Sequence, residues 1–184
     1  MSFTTLVLRG LRLTLALWLL TVVVITLPLL GLARVVAPDS ATGSLVRRNG
    51  VVVGSRLLGQ PFAGDRYLQG RPAGNPNLGP ANPKLALRIA GAADAWQRAG
   101  IIKPAPDLLY VSGSGVDPHI TLAAARQQLP RLAAARQLPS ERLERLLRQH
   151  IDGPGRLRAI EPLVNVLGFN RALDDLTDGA PQGP

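Results

Sequence analysis

The stretch LTLALWLLTVVVITLPLLGLA, residues 13–33, decides the architecture of this 184-residue chain. It contains no charged residue, and at a helical rise of about 1.5 Å per residue it reaches roughly 30 Å, the thickness of a bilayer's hydrocarbon core. The alternative is a cleaved signal peptide, whose apolar part usually has about 7–15 residues and ends at a small-x-small site such as Gly31-Leu32-Ala33. Because this run is longer and continues through Pro28 and Gly31, it predicts a retained transmembrane helix.

Basic residues beside the apolar run predict its orientation. Arg9 and Arg12 precede the run and only Arg34 directly follows it, and an excess of Lys and Arg marks the cytoplasmic end of a membrane helix. We therefore expect residues 1–12 in the cytoplasm and the body of the chain outside it.

Composition excludes several classes of function. The chain has no Cys and only two His, which excludes a disulfide framework, thiolate catalysis and the usual zinc sites. The 21 Lys and Arg against 12 Asp and Glu give a formal net charge of +9, a balance typical of nucleic-acid binders. However, the basic residues are scattered, and the few aromatic residues of the body form no stacking surface among them. We therefore expect no nucleic-acid partner.

The remaining sequence predicts one α+β domain with few strands at residues 50–177, after a linker at 34–49 and before a flexible tail at 178–184. Asn82-Pro83 and Asp117-Pro118 both have the form of an N-cap followed by proline at the first helical position. Pro130 must then kink or end the second helix, and we favour a kink because apolar positions continue to Leu138. The predicted strands are 51–58, 108–111 and 163–167, and the predicted helices are 83–100, 117–138, 140–150 and 170–176, the last capped by Asn170.

The segment between the first strand and the first helix, residues 59–83, is rich in Pro and Gly. Such a segment supplies rigid turns and backbone carbonyls but few titratable groups. It therefore suits recognition of another protein by shape better than proton transfer. The alternative is a loop that packs on its own domain.

The segment SGSGVDPHIT, residues 112–121, gathers the side chains that could perform chemistry. Tyr110 stands where a nucleophile elbow needs its first Gly, and no Walker lysine follows the glycines. Ser114, His119 and Asp117 could in principle form a hydrolase triad. However, all three lie in one short segment, whereas triad residues normally come from separate loops. A tight turn closed by an Asp117 cap is the favoured interpretation.

Six segments in order, together with the single N-terminal span, cover nearly the whole chain and carry a family resemblance. They are GSRLLGQPF (54–62), YLQGRPAG (67–74), NLGPANP (77–83), SGSGVDPHIT (112–121), QQLPRLAAAR (127–136) and VNVLGFNRALD (164–174). On these segments the chain resembles the C subunit family of the bacterial Kdp potassium-transporting ATPase. Between Pro72 and Asn77 it is shorter than that family usually is.

The resemblance implies a noncatalytic accessory subunit of a high-affinity, ATP-driven potassium uptake complex in the bacterial inner membrane. The implied partners are the channel-like subunit KdpA, the P-type ATPase subunit KdpB, the small stabilising peptide KdpF and the lipid bilayer. Potassium and ATP are handled by the partner subunits, and no cofactor of this chain is implied. The family is proposed to assemble the complex, to cap its extracytoplasmic entrance, and to act as a catalytic chaperone that raises the ATPase subunit's affinity for ATP.

The expected site residues follow from this resemblance. Gln128 would bind nucleotide only if the family's nucleotide role is direct, and a body outside the cytoplasm would instead act through a coupling free energy across the membrane subunits. Two alternatives stay open: an anchored extracytoplasmic hydrolase that uses Ser114 and His119, and a free-standing anchored binding domain. The expected subunit-interface residues are Gln60, Arg71, Asn77, Gly79, Asn82, Asp117, Asn165 and Asn170.

Overall fold

A computed structural model describes residues 2–152 and 161–178, in two compact units whose border lies at Leu45. The first unit contains helix α1 (Phe3–Thr21), a π-helical turn (Val22–Thr26) and helix α2 (Leu27–Val36). Together they form one helix of 34 residues, Phe3–Val36, which has no buried position and is long and apolar enough to cross a membrane. The predicted span at 13–33 lies within it, and the Thr21 hydroxyl donates to the Leu17 carbonyl at 2.9 Å, so the polar group is satisfied inside the helix.

Residues 34–49, expected to be a linker, contain regular structure. Helix α3 (Pro38–Ala41) follows α2, and strand β1 (Leu45–Arg48) pairs with strand β2 (Val51–Ser55) in a two-stranded sheet. Asn49 and Gly50 join the strands with φ values of 50° and 81°, the left-handed conformation that a tight hairpin turn requires at both positions. The Asn-Gly signal correctly predicted β2, whereas β1, whose last two residues are charged, was missed.

The core of the second unit combines a small sheet with three helices. The sheet is antiparallel in the order β3 (His119–Thr121), β5 (Leu163–Asn165), β4 (Ile151–Asp152), with Val164 opposite both Ile120 and Ile151. The helices are α5 (Leu122–Arg136), α6 (Ser140–Gln149) and α7 (Val166–Asp178). Fully buried side chains, including Leu68, Leu132, Leu147 and Phe169, fill the space between them. The predicted α+β fold with one long apolar N-terminal helix is confirmed.

Two local predictions around residue 110 are wrong. The predicted strand at 108–111 does not form. Leu108 is instead the buried last residue of a 3₁₀ turn at 106–108. The second helix begins at Leu122 instead of Asp117, because Thr121 is the residue whose hydroxyl accepts the Ala124 N–H, at 3.2 Å. The Asp117 carboxylate accepts the His119 N–H at 3.0 Å, which makes a local turn before β3 and not a helix cap.

The predictions for the other helices are largely confirmed. Helix α4 (Pro83–Arg98) begins as predicted, with the Asn82 side chain accepting the Lys84 N–H at 3.0 Å. Helix α5 continues through Pro130 and ends at Gln137, whose φ of 54° is left-handed, and α6 matches its prediction. Helix α7, however, begins at Val166, so Asn170 lies inside it and is not its cap. The predicted break at 153–155 and the tail beyond Asp178 lie outside the described residues.

Candidate functional site

Five consecutive backbone carbonyls, those of residues 65–69, are each bound by a side chain of α5 or α7. We call this set of contacts the carbonyl clamp. The donors are Arg131 to the carbonyls of Asp65 and Tyr67 (2.8 Å each), Arg136 to Arg66 (2.8 Å), Asn170 to Leu68 (2.9 Å) and Gln128 to Gln69 (3.0 Å). The first half of the Pro/Gly-rich segment is therefore fixed to the domain by side chains.

Two of these side chains also accept backbone N–H groups. The Asn170 Oδ1 accepts the Leu68 N–H at 2.8 Å, and the Gln128 Oε1 accepts the Gln69 N–H at 2.9 Å. Each amide thus satisfies both polar groups of one residue, as a neighbouring β-strand would. The pairing holds the Leu68 side chain in the core, where it is fully buried.

Arg136 is fixed by charge as well as by hydrogen bonding. Its Nη2 lies 2.7 Å from Asp174 Oδ1, and its guanidinium lies 4.8 Å from the centre of the Tyr67 ring. For Arg131, burial lowers the pKa and the nearby Asp65 partly opposes that shift. An arginine side chain stays protonated in proteins despite such a shift, so both donors keep their full set of N–H groups.

Next to the clamp lies a cleft of about 370 Å³ that Arg71 helps to line, which we call the Arg71 cleft. Its walls come from residues 58–61 and 69–73, one side of α4, and the loop 112–118. Arg71 forms an ion pair with Asp107, which is 5% exposed and accepts the Thr121 N–H at 2.7 Å, and the Arg71 Nε lies 3.9 Å from Asp117 Oδ2. Because two carboxylates flank one guanidinium, the charge of Arg71 is compensated, and its role is to tie the segment to the start of α5.

The residues of the possible hydrolase site, Ser114, Asp117 and His119, do not make the hydrogen bonds of a catalytic triad in the part of the chain that the structure describes. The Ser114 hydroxyl lies 3.4 Å from that of Ser112 and accepts the Val116 N–H at 3.3 Å. His119 lies 3.4 Å from Asp117 through Nδ1 and 3.5 Å from Asp152 through Nε2. Within residues 2–152 and 161–178 no hydrogen bond links Ser114 to His119, so the geometry is an acid–imidazole pair without a positioned nucleophile.

The predicted interface residues lie in five different environments. Gln60, Arg71 and Asp117 line the Arg71 cleft, whereas Asn170 is 1% exposed and belongs to the carbonyl clamp. Asn77 and Gly79 are exposed, and Asn82 caps α4. Asn165 joins the turn after β2 to the first turn of α7, because its amide donates to the Arg56 carbonyl at 2.9 Å and accepts the Gly168 N–H at 2.9 Å.

Gln128, the possible nucleotide contact, is fully buried. Its Oε1 accepts from Gln69 and from Arg131 at 2.8 Å, and its Nε2 donates to Gln69 and, at 3.5 Å, to the Ala124 carbonyl. Both polar atoms of Gln128 are therefore bonded within the chain, and a direct contact with nucleotide would require them to leave these partners.

Sequence reasoning missed Asp107, Arg131 and Arg136, three residues that organise the site. Local spacing carried no signal for them, because their partners are distant in sequence: Arg136 binds the carbonyl of a residue 70 positions earlier. Charged residues on amphipathic helices are ordinarily solvated, and Arg136, at 8% exposed, departs from that rule.

Beyond the Arg71 cleft, the chain emerges into solvent. Residues 73–81, which we call the exposed segment, are all exposed except Leu78. The segment is shaped locally: the Asn75 side chain accepts the Asn77 N–H at 2.8 Å, and Arg88 of α4 donates to the Asn75 carbonyl at 2.9 Å. A fixed base therefore leads into a Pro/Gly/Asn-rich segment that is exposed on the surface of the domain.

Comparison with known proteins identifies the family to which the chain belongs. A sequence model described as "KdpC: K+-transporting ATPase, c chain" matches residues 7–175. The chain is 41% identical to "Potassium-transporting ATPase KdpC subunit 1" of Nostoc sp., over 96% of this chain and 98% of the relative. It is 42% identical to the "Potassium-transporting ATPase KdpC subunit" of Methylobacterium nodulans, over 88% and 92% of the two chains. The chain therefore belongs to the KdpC family, the c chains of the K+-transporting ATPase.

Proposed function

We propose that this chain is a noncatalytic accessory subunit that assembles and stabilises an ATP-driven potassium uptake complex, and that the exposed segment docks on the channel-like subunit KdpA. The chain would be held in the inner membrane by its apolar helix, with its N-terminus in the cytoplasm. One observation carries the docking proposal: the carbonyl clamp and the Arg71 cleft fix the chain just before a segment whose residues are mostly exposed. The ATPase subunit KdpB and the peptide KdpF complete the proposed assembly.

The rigid base explains how a Pro/Gly-rich segment can bind a partner. Ordering a flexible loop on binding would cost about 1–2 kcal/mol per residue in backbone entropy. Residues 65–69 are already ordered by five side-chain contacts, and proline restricts much of the remainder. Little further entropy is therefore lost when this surface meets another protein.

The noncatalytic role is proposed from the family, because the printed names of its members describe subunits of a potassium-transporting ATPase. The chaperone role is proposed to be indirect. Because Gln128 is bonded to Gln69 and buried, an effect on ATP affinity would pass through the partner subunits as a coupling free energy.

The docking proposal is tested by replacing two asparagines that differ in their contacts. Asn77→Ala removes an exposed side chain from the exposed segment, and we expect it to weaken co-purification of KdpA without changing the thermal stability of this subunit. Asn82→Ala removes the cap of α4 and should lower stability by about 1 kcal/mol. If Asn77→Ala leaves co-purification unchanged, the exposed segment is not the docking surface.

The chaperone proposal needs a separate measurement. Complexes purified with and without this subunit are compared for nucleotide affinity and potassium-stimulated ATP hydrolysis. We expect weaker ATP binding without the subunit. Unchanged affinity and hydrolysis in an intact complex would overturn the chaperone role and leave assembly as the function.

A further inference from the structure

The hairpin β1–β2 and the turn after it expose five large apolar side chains within eight positions. Val51, Val52 and Val53 are 67%, 43% and 42% exposed, and Leu57 and Leu58 are 59% and 48% exposed. We call these five residues the hairpin surface. Val116, 48% exposed, extends it, because its carbonyl accepts the Gly59 N–H at 2.6 Å.

Exposure on both faces distinguishes β2 from an ordinary surface strand. Successive side chains of a strand point to opposite faces, so a strand packed on one side would show alternating burial. Three consecutive valines exposed together mean that both faces of this strand present apolar groups to the surroundings. Exposed apolar side chains that lie together mark a site of interaction with a protein or a membrane, and a neighbour that surrounds this strand would cover both of its faces.

The position of the hairpin in the chain identifies that neighbour. Eight residues separate Val36, the end of the apolar helix, from Leu45, the start of β1. Even fully extended, a linker of this length reaches only about 30 Å, and four of its residues are helical in α3. The chain therefore passes, through this short connection, from a helix that is long and apolar enough to cross a membrane directly into the hairpin that carries the hairpin surface.

Charge also favours a lipid surface. Arg47 lies in β1 just before the turn and Arg56 directly follows β2, and both are exposed. Basic residues at the edge of an apolar patch are attracted to anionic headgroups near the membrane surface. The same arrangement, apolar side chains rimmed by arginine, is typical of elements that lie in the membrane interface.

We propose that the hairpin surface inserts into the lipid–water interface of the bilayer that holds the apolar helix. This inference goes beyond the proposed function, because it concerns lipid and not the docking of the exposed segment on KdpA. Val51, Val52, Val53, Leu57 and Leu58 enter the boundary between headgroups and acyl chains, while Arg47 and Arg56 stay among the headgroups.

The chain contains no native Cys, so single cysteines can be labelled without background. The full chain is reconstituted in nanodiscs of phosphatidylcholine and phosphatidylglycerol, with an environment-sensitive fluorophore on Val52→Cys or on Ile102→Cys. Ile102 is the matched control, because it is apolar, 78% exposed and outside the hairpin surface. We expect lipids brominated near the headgroup end of their acyl chains to quench the Val52 probe at least about twofold more than the Ile102 probe.

Aqueous iodide provides the reciprocal readout. It should quench the Ile102 probe strongly and the Val52 probe weakly. Equal quenching of both probes by iodide, with no effect of brominated lipid, would overturn the proposal. A Val52 probe that is shielded only in the assembled complex, and not in nanodiscs of this chain alone, would also overturn it, because the occupant would then be a partner subunit. Neither result depends on whether Asn77→Ala affects co-purification.

Discussion

At the scale of single residues, the Asn170 side chain holds a buried stretch of backbone by two hydrogen bonds. Its amide accepts the Leu68 N–H at 2.8 Å and donates to the Leu68 carbonyl at 2.9 Å, in a region without access to water. A buried backbone group that loses its partner is expensive, because it keeps the full penalty of desolvation. The side chain therefore acts as a structural substitute for a missing strand.

We predict that Asn170→Ala lowers the free energy of unfolding by about 2–6 kcal/mol, since two buried backbone groups lose their partners at about 1–3 kcal/mol each. The measurement is chemical unfolding of the full chain in detergent. Asn77→Ala is the control and should have almost no effect, because Asn77 is exposed. A loss equal to that of the control would mean that water replaces the amide at Leu68.

Gly59 is a second residue at which a small substitution should affect stability, because a single added carbon atom would meet backbone atoms. A Cβ placed on Gly59 would lie 2.5 Å from the Asp117 carbonyl oxygen and 3.1 Å from its carbon, both backbone atoms. We predict that Gly59→Ala destabilises the domain by about 1–3 kcal/mol, because backbone cannot rotate away as a side chain can. Thermal unfolding of the full chain tests this.

Gly79→Ala is the matched control for that substitution, since nothing lies within 4 Å of a Cβ at Gly79. It should leave the unfolding temperature unchanged. If both glycine variants unfold at the same temperature, the loop carrying Asp117 moves aside without loss, and the contact does not constrain the Arg71 cleft.

At the scale of elements, a charge network joins α5 to α6. Arg126 donates to Glu144 through Nη2 at 2.8 Å and through Nε at 3.1 Å, and Arg148 lies one turn beyond at 3.2 Å. The hydrogen bond from Arg126, with a smaller contribution from Arg148, lowers the pKa of Glu144 below its ordinary value. Only side chains at the helix surface take part, so solvent screens the interaction.

This network predicts a pH dependence of stability. Because the pKa of Glu144 is lower in the folded than in the unfolded chain, the stabilisation is complete above the unfolded value of about 4.3 and is lost as pH falls through the folded value. Glu144→Gln should therefore cost about 0.5 kcal/mol at neutral pH, and nothing at more acidic pH. Unfolding of both proteins across this pH range is the measurement. A difference independent of pH would show that Glu144 acts through packing.

Elements with local signals were predictable, and those with distant partners were not. Helix α4 carried its own cap at Asn82, and α6 an apolar stripe through Leu143 and Leu147. Strand β3 has only three residues and exists because residues 163–165 pair with it. No local pattern reveals a partner more than 40 positions away, so His119–Thr121 was misread as the first turn of a helix.

The candidate site also has one part with a local sequence signal and one part that depends on distant partners. The Pro/Gly-rich composition of residues 59–83 predicted a non-regular segment, and the structure has no helix or strand between Ser55 and Pro83 within the described residues. The carbonyl clamp could not be predicted, because Gln128, Arg131 and Arg136 look like an ordinary polar face of α5. Only the fold shows that this face meets five carbonyls.

At the scale of the whole molecule, the described core lies in the second unit. The core cluster extends from Leu68 to Leu173, within the second unit, and helices α1 and α2 have no buried residue. We predict that cutting a protease site placed in the linker at Thr42–Ser44 releases a body that unfolds at the same temperature as the full chain. Calorimetry at low protein concentration tests this. A lower unfolding temperature would mean that the apolar helix supports the core.

The carbonyl clamp also bears on how the molecule can change over evolutionary time. A loop held by a neighbouring strand is tied to that strand's register, so an insertion in it displaces side chains throughout a sheet. Residues 65–69 are held instead by separate side chains of α5 and α7, and strain from a length change downstream stops at this anchor. Codons can therefore be gained or lost between Pro72 and Asn77 while the core is preserved, and the surface offered to a partner can diverge faster than the fold that carries it.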